Sequence, residues 1–220
     1  MQSGVLGFPS VDQEYAAQRQ VIIEELATGS GDYVVPAGVF QLEVYLFGGG
    51  AGAGGVSSAA GVYAAGGGGA GEERFFQLTV YPGERIPYSV GALGGGGTAA
   101  ANGADGTGTI FGPVTANGGR GSKGINVNNA SYGTGGEKGG GNPGSDTVPV
   151  VFSGYGGSTL YGTGGAAVTG DNNGNSGSGY GAGGSGAISN VSKNGGSGTG
   201  GLIRIRYFAP DRQRVPTPAL

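Results

Sequence analysis

Between Gly48 and Gly201 one residue in three is glycine, 52 of 154 positions, because only Gly4, Gly7, Gly29, Gly31 and Gly38 of the chain's 57 glycines lie outside that tract. The tract is closed at each end by a segment of alternating apolar residues, Val39-Phe-Gln-Leu-Glu-Val-Tyr-Leu-Phe47 and Gly201-Leu-Ile-Arg-Ile-Arg-Tyr-Phe208. Alternation with period two suits strands with one buried face, and these two strands are suited to pair in a sheet. A tract anchored in this way at both ends is expected to fold.

The glycines also carry a period. Of the 18 glycines among the 46 residues 156–201, ten (156, 162, 165, 174, 177, 183, 186, 195, 198 and 201) share one register modulo three. Three residues per turn is the repeat of the polyproline II helix, which has no internal hydrogen bonds. Its N–H and C=O groups point outward, and glycine at every third position lets neighbouring backbones approach and bond across. Glycine costs roughly 0.5–1 kcal/mol of conformational entropy beyond alanine at each position, so only a dense lattice of hydrogen bonds between segments could offset the tract. Strict collagen is excluded, since the Gly-X-Y phase fails between Thr169 and Asn175 and prolines are few there. The fold expected is mainly β and irregular: a small antiparallel sheet closing a bundle, or sandwich, of polyglycine type II helices, with a short N-terminal helix or extended attachment segment.

Turn chemistry supplies further boundaries. Pro36-Ala-Gly38 is a turn leading into the strand 39–47, and Pro82-Gly83 joins Glu73-Arg-Phe-Phe-Gln-Leu-Thr-Val-Tyr81 to Arg85-Ile-Pro-Tyr-Ser-Val90 as a hairpin. Pro87 suggests an edge position, because proline cannot donate to a ladder. Val11, Tyr15, Ile22 and Leu26 fall on one helical face, which a helix to about Gln20 followed by a strand accommodates; a strand over 21–26 leading through the turn at 28–32 is the competing reading. Residues 1–20 are read as an attachment or oligomerisation segment, 21–208 as the glycine-rich domain and 209–220 as a tail.

The chain contains no cysteine and no histidine, which removes disulfides, thiolate and imidazole metal sites and His-based catalysis. Its formal charge of -3 offers no basic field for a phosphate backbone, so nucleic acid is not an expected partner. No basic and apolar leader opens the sequence, and no apolar run approaches the ~18 residues of a membrane-spanning helix. Gly50, Gly52 and Gly55 satisfy a GxGxxG spacing after a strand, but a dinucleotide site needs a helix next, and residues 56–69 make a poor one. Asp105, Asp146 and Asp171 stand beside turn-forming residues, where capping explains them better than paired-carboxylate catalysis or calcium at Asp171-Asn-Asn173. No cofactor is expected.

Tyr132, Tyr155, Tyr161 and Tyr180 stand among glycine, serine and asparagine. That mixture has the composition of adaptable binding surfaces, with large rigid rings beside hydrogen-bonding side chains; rings capping the ends of glycine helices are the structural alternative. With those residues in view, the chain resembles the glycine-rich domain of bacteriophage tail-fibre and adhesin proteins. The resemblance rests on five ordered blocks: Tyr33-Val-Val-Pro-Ala-Gly-Val39, Leu42-Glu-Val-Tyr-Leu-Phe-Gly-Gly-Gly50, residues 79–96 with their Pro-Gly and Val-Gly pairs, Gly108-Thr-Ile-Phe-Gly112 with Thr115-Ala-Asn-Gly-Gly119, and Gly200-Gly-Leu-Ile-Arg-Ile-Arg-Tyr207.

The resemblance implies a non-enzymatic virion protein, a receptor-binding tip or short spike. Its polyglycine helices would form a rigid sandwich whose loops contact a bacterial surface receptor, either a glycan or an outer-membrane protein. The expected contacts are Asn128, Asn129, Tyr132, Phe152, Tyr155, Tyr161, Asp171, Asn172, Asn173 and Tyr180. Val11, Tyr15, Ile22 and Leu26 are expected to attach the chain to other virion proteins or to a homotrimer, without membrane insertion. A capsid-decorating or tail-structural protein, an ice-binding protein on the same helices and a flexible matrix protein are the competing functions.

Overall fold

The computed structural model describes residues 20–57, 62–126 and 152–209, and among these there are strands and turns but no helix. Eight strands form two four-stranded sheets. The first takes β1 (Val21–Leu26) and β3 (Gln41–Phe47), and the second takes β2 (Ser30–Val34). Four two-residue strands and one longer one follow as β4 (Val56–Ser57), β5 (Tyr63–Ala64), β10 (Ile125–Asn126), β11 (Gly162–Thr163) and β6 (Glu73–Thr79); the remainder are β7 (Arg85–Ser89), β8 (Thr109–Phe111), β9 (Val114–Ala116), β12 (Ser178–Gly179), β13 (Ile188–Ser189) and β14 (Leu202–Phe208). The strand orders are β1-β14-β3-β6 and β2-β7-β8-β9.

The two sheets face each other across one apolar core. Alternation puts Leu42, Val44 and Leu46 of β3 and Ile203, Ile205 and Tyr207 of β14 on the inner face, against Tyr33, Ile86 and Phe111 of the other sheet. Each fully buried Leu or Ile contributes about 1.5–3 kcal/mol through removal from water. The two segments that close the glycine tract do pair, β3 antiparallel to β14 with Phe47 opposite Leu202. Both expected turns form, with positive φ at Gly38 and Gly83 and a Glu84 N–H donating to the Tyr81 carbonyl.

Two expectations are corrected. The Pro82-Gly83 turn does not close a hairpin: β6 pairs with β3 and β7 with β2, so the turn passes the chain from one sheet to the other. Pro87 is not at an edge, because β7 lies between β2 and β8. The β8 ladder pairs only with Tyr88 and Ser89, and the Pro87 carbonyl meets the Gly112 N–H at the hairpin turn, so the absent N–H falls where the ladder has ended. The strand expected after Gln20 forms over Val21–Leu26, and Ile22 and Leu26 share its inner face with Glu24, in a period-two pattern of burial. Val11 and Tyr15 lie outside the described residues.

On β1 the inward positions include an acid, Glu24, which accepts the Tyr207 hydroxyl proton. Burial first, and then this hydrogen bond, push the Tyr207 phenol up to about 12; burial and the nearby Glu24 carboxylate also raise Tyr33. A phenol whose folded pKa exceeds its unfolded value near 10 contributes stability that is intact below pH 10 and lost as pH rises through the folded value. The urea midpoint is therefore expected to fall steeply between pH 10 and about 12, with a shallower fall in Tyr207→Phe.

Beyond the sandwich the strands continue into extended segments. Residues 48–56 leave β3, 91–97 leave β7, 117–125 leave β9, while 65–72, 101–107 and 193–201 lead into β6, β8 and β14. In segment 48–56 the N–H groups rotate among three partners. Gly48 and Ala51 donate to Glu72 and Gly69; Gly49, Gly52 and Gly55 donate to Thr107, Ala104 and Ala101; Gly50, Ala53 and Val56 donate to Thr199, Gly196 and Lys193. Partner numbers fall by three as donors rise by three, so these neighbours run antiparallel. The carbonyls reach three parallel neighbours: Gly49, Gly52 and Gly55 accept from Gly119, Ser122 and Ile125, Gly50 and Ala53 from Gly94 and Gly97, and Ala51 and Gly54 from Gly184 and Ala187.

Segment 181–188 has the same surroundings. Its N–H groups reach segments 154–157, 48–56 and 172–177, and its carbonyls accept from 65–71, 196–199 and Gly165. The eight outer segments bond to one another in turn around this central pair, for example Gly106 to Gly119, Thr107 to Ala92, Gly198 to Gly94, Gly177 to Ser197, Gly156 to Gly165, Gly157 to Gly68 and Gly69 to Arg120; Asn175 Nδ2 to the Ala166 carbonyl closes the circle. Small residues are obligatory here. A Cβ added at Gly50, Gly174 or Gly186 would stand 1.9 Å from a neighbouring carbonyl oxygen. All ten glycines of the three-residue register would place a Cβ within 2.9 Å of a neighbouring carbonyl oxygen.

Candidate functional site

The lattice gives the molecule two unlike ends. At the sandwich end, the Ala209 N–H donates to the Gln20 carbonyl at 2.8 Å, so the chain enters and leaves the described body side by side. At the far end the segments are joined by connections that include Val62, 98–100, 168–171 and 189–192, beyond a small cluster of Val56, Ala65, Ile125 and Ala187.

The sequence-derived contact residues divide between these ends. Asp171, Asn172 and Asn173 are exposed at the far end, where the Asn172 N–H donates to Ile188. Phe152 joins them. Gly154 and Gly157 donate to Ala65 and Gly68, a parallel register that brings Phe152 beside Val62 and Tyr63. Tyr155 stands one turn of three residues nearer the sandwich on the same segment, half exposed. Tyr161 and Tyr180 are at the junction with the sandwich instead: the Tyr180 N–H donates to the Tyr161 carbonyl. The Tyr161 ring meets Phe47 edge-on at 5.2 Å and carries the Arg204 guanidinium at 5.0 Å, so it covers the end of β3. Asn128, Asn129 and Tyr132 lie outside the described residues.

Many polar side chains have structural partners. Asp105 Oδ1 accepts the Gly121 N–H and Asn102 Oδ1 the Gly124 N–H, binding one outer segment to the next. Asn173 Oδ1 accepts from Asn194, Asn194 Oδ1 from Ala99, and Ser197 Oγ from Gly96. These brackets recur at three-residue spacing, 102 and 105 or 194 and 197, so Asp105 holds two segments together and does not merely cap a turn. Asp171 Oδ1 accepts from Ser189 Oγ at 3.0 Å and from the Asn190 N–H at 3.3 Å. Among the described residues no three carboxylates gather as a metal site. The amides of Gly50, Gly52 and Gly55 go to three different carbonyls, so they do not converge on a phosphate.

Sequence reasoning singled out Phe152 but missed the other apolar residues of the far end, Val62 and Val191. Val62, Phe152 and Val191 are 44%, 52% and 52% exposed, and β5 paired to β13 sets Val62 next to the strand that precedes Val191. The available signal was a bulky side chain where the glycine tract turns. A family model described as a glycine-rich domain matches residues 26–208. No curated protein matches the chain.

Proposed function

The chain belongs to the glycine-rich domain family, and from that premise we propose that it is a non-enzymatic phage virion component, a tail-fibre tip or short spike that presents its far end to a bacterial surface receptor. The observation that carries the reading is the separation of the ends: both flanks of the body leave beside Gln20 and Ala209, whereas Val62, Phe152, Asp171 and Val191 stand exposed at the other end. Donors that turn through three directions in three residues support reading these segments as polyglycine II helices, in which 3.1 Å per residue over eight residues would set the two ends about 25 Å further apart. Among the described residues, two such helices bonded on all sides and ringed by eight further segments would make a stiff spacer. The host receptor, glycan or outer-membrane protein, meets apolar anchors rimmed by amides, while the sandwich end joins other virion proteins or a homotrimer.

Fluorescently labelled protein is expected to bind a restricted set of strains in a bacterial panel. The triple substitution V62S, F152S and V191S is expected to weaken that binding about tenfold or more, as loss of central apolar anchors does, and Phe75→Ser at the opposite end to leave it unchanged. Binding to no strain, or equal binding by the triple variant, rejects the reading.

A further inference from the structure

Among the described residues β1 is the outermost strand of its sheet and nothing pairs with its outer edge, which carries neither proline nor lysine to discourage pairing. The Ala209 to Gln20 hydrogen bond fixes the parity of the ladder. Gln20, Ile22, Glu24 and Leu26 therefore direct their N–H and C=O groups toward β14, and Val21, Ile23 and Glu25 direct theirs outward. Val21 and Ile23 are also 39% and 48% exposed. On the inner side Ile22, Glu24 and Leu26 are only half buried, so among the described residues the flank of the sandwich is left partly open.

The open flank is acidic and incompletely bonded. β1 carries Glu24 and Glu25 and no basic residue; Arg204 lies 3.4 Å from Glu25 on the outer face. On the inner face the Tyr207 hydroxyl donates to Glu24, and Tyr33 of β2, 7% exposed, has a buried hydroxyl with no hydrogen-bond partner. A cationic side chain entering between β1 and β2 would meet one carboxylate and a phenol oxygen free to accept.

We propose that the β1 edge receives an extended strand of a carrier protein, with apolar residues beside Val21 and Ile23 and a lysine or arginine at the inward position opposite Glu24. This rests on the reading of the sandwich end as the point of attachment. A second copy fits less well. Antiparallel pairing of two β1 edges would point the far ends in opposite directions and bring four carboxylates into one short ladder.

The probe is a seven-residue peptide alternating valine with threonine, with lysine at its centre, added to the full chain. Amide exchange at Val21, Ile23 and Glu25 is expected to slow about tenfold, and a peptide with glutamate at its centre is expected to have no effect. Glu24→Gln is expected to weaken peptide binding about tenfold. Ile23→Pro, which removes only an outward N–H, is expected to abolish it while the protein remains folded. The proposal is overturned if the lysine peptide leaves those amides unchanged or binds the Ile23→Pro variant equally. It is overturned also if the three amides are already protected in the monomer, the chain's own flanks then covering the edge, or become protected through concentration-dependent dimerisation. Cell binding is read separately, so either proposal can fail alone.

Discussion

Gly186→Ala is expected to lower the thermal midpoint by about 10 °C or more, corresponding to a loss on the order of 4 kcal/mol. The added Cβ would lie 1.9 Å from the Ala65 carbonyl oxygen and 2.5 Å from its carbon, both backbone atoms fixed by their own bonds. Relief requires segments 181–188 and 65–72 to part, which strains the bonds of Ala65 to Ala187, Gly186 to Gly154 and Ala187 to Gly54. Each buried polar group left unpaired costs about 1–3 kcal/mol. Gly95→Ala is the control, since nothing lies within 4 Å of its Cβ position; reduced freedom of the unfolded chain should stabilise it by about 0.4–1 kcal/mol. Equal melting of the two variants in calorimetry would mean that close backbone approach is not what requires glycine.

Thr109→Val is expected to cost about 2–5 kcal/mol at nearly constant volume, read as a shift of the urea midpoint. Thr109 is fully buried where the sandwich meets the lattice, and its hydroxyl accepts the Gly91 N–H at 2.9 Å and donates to the Phe47 carbonyl at 2.7 Å. Valine leaves a buried donor and a buried acceptor facing each other with no group between them. Thr109→Ser keeps the relay and should lose only about 1 kcal/mol, the worth of a buried methyl. Ser122 forms a second relay between the Gly54 N–H and the Gly66 carbonyl.

The parts of this fold written in local periodicity were legible. Alternation over 39–47 and 201–208 identifies the central strand pair, and the three-residue glycine register marks positions where backbones touch. What depends on partners far away in sequence was not. Pro82-Gly83 has the chemistry of a turn, but nothing local says that the next strand joins the other sheet. Ile22 and Leu26 satisfy a helical spacing and a strand spacing equally, and pairing with β14 decides between them. Thr109 and Ser122 look like turn residues, since the groups they connect are 18 to 68 residues away. In the candidate site, composition picked out Phe152 and the 171–173 loop, but it also chose Tyr161, whose ring is engaged by Phe47 and Arg204. It passed over Val62 and Val191, because a lone valine among glycines carries no pattern.

Among the described residues the ten segments run along the line from the body's flanks to its loops, and this sets how the molecule responds to being pulled. In the proposed role, tension between a receptor-bound loop and attached flanks would run along the segments, so adjacent backbones would have to slide past one another before they could part. Sliding loads many amide bonds together in shear, whereas a sheet pulled from its edge opens one bond at a time. In that role the glycine content, costly in entropy for a free chain, would yield a body suited to tensile force.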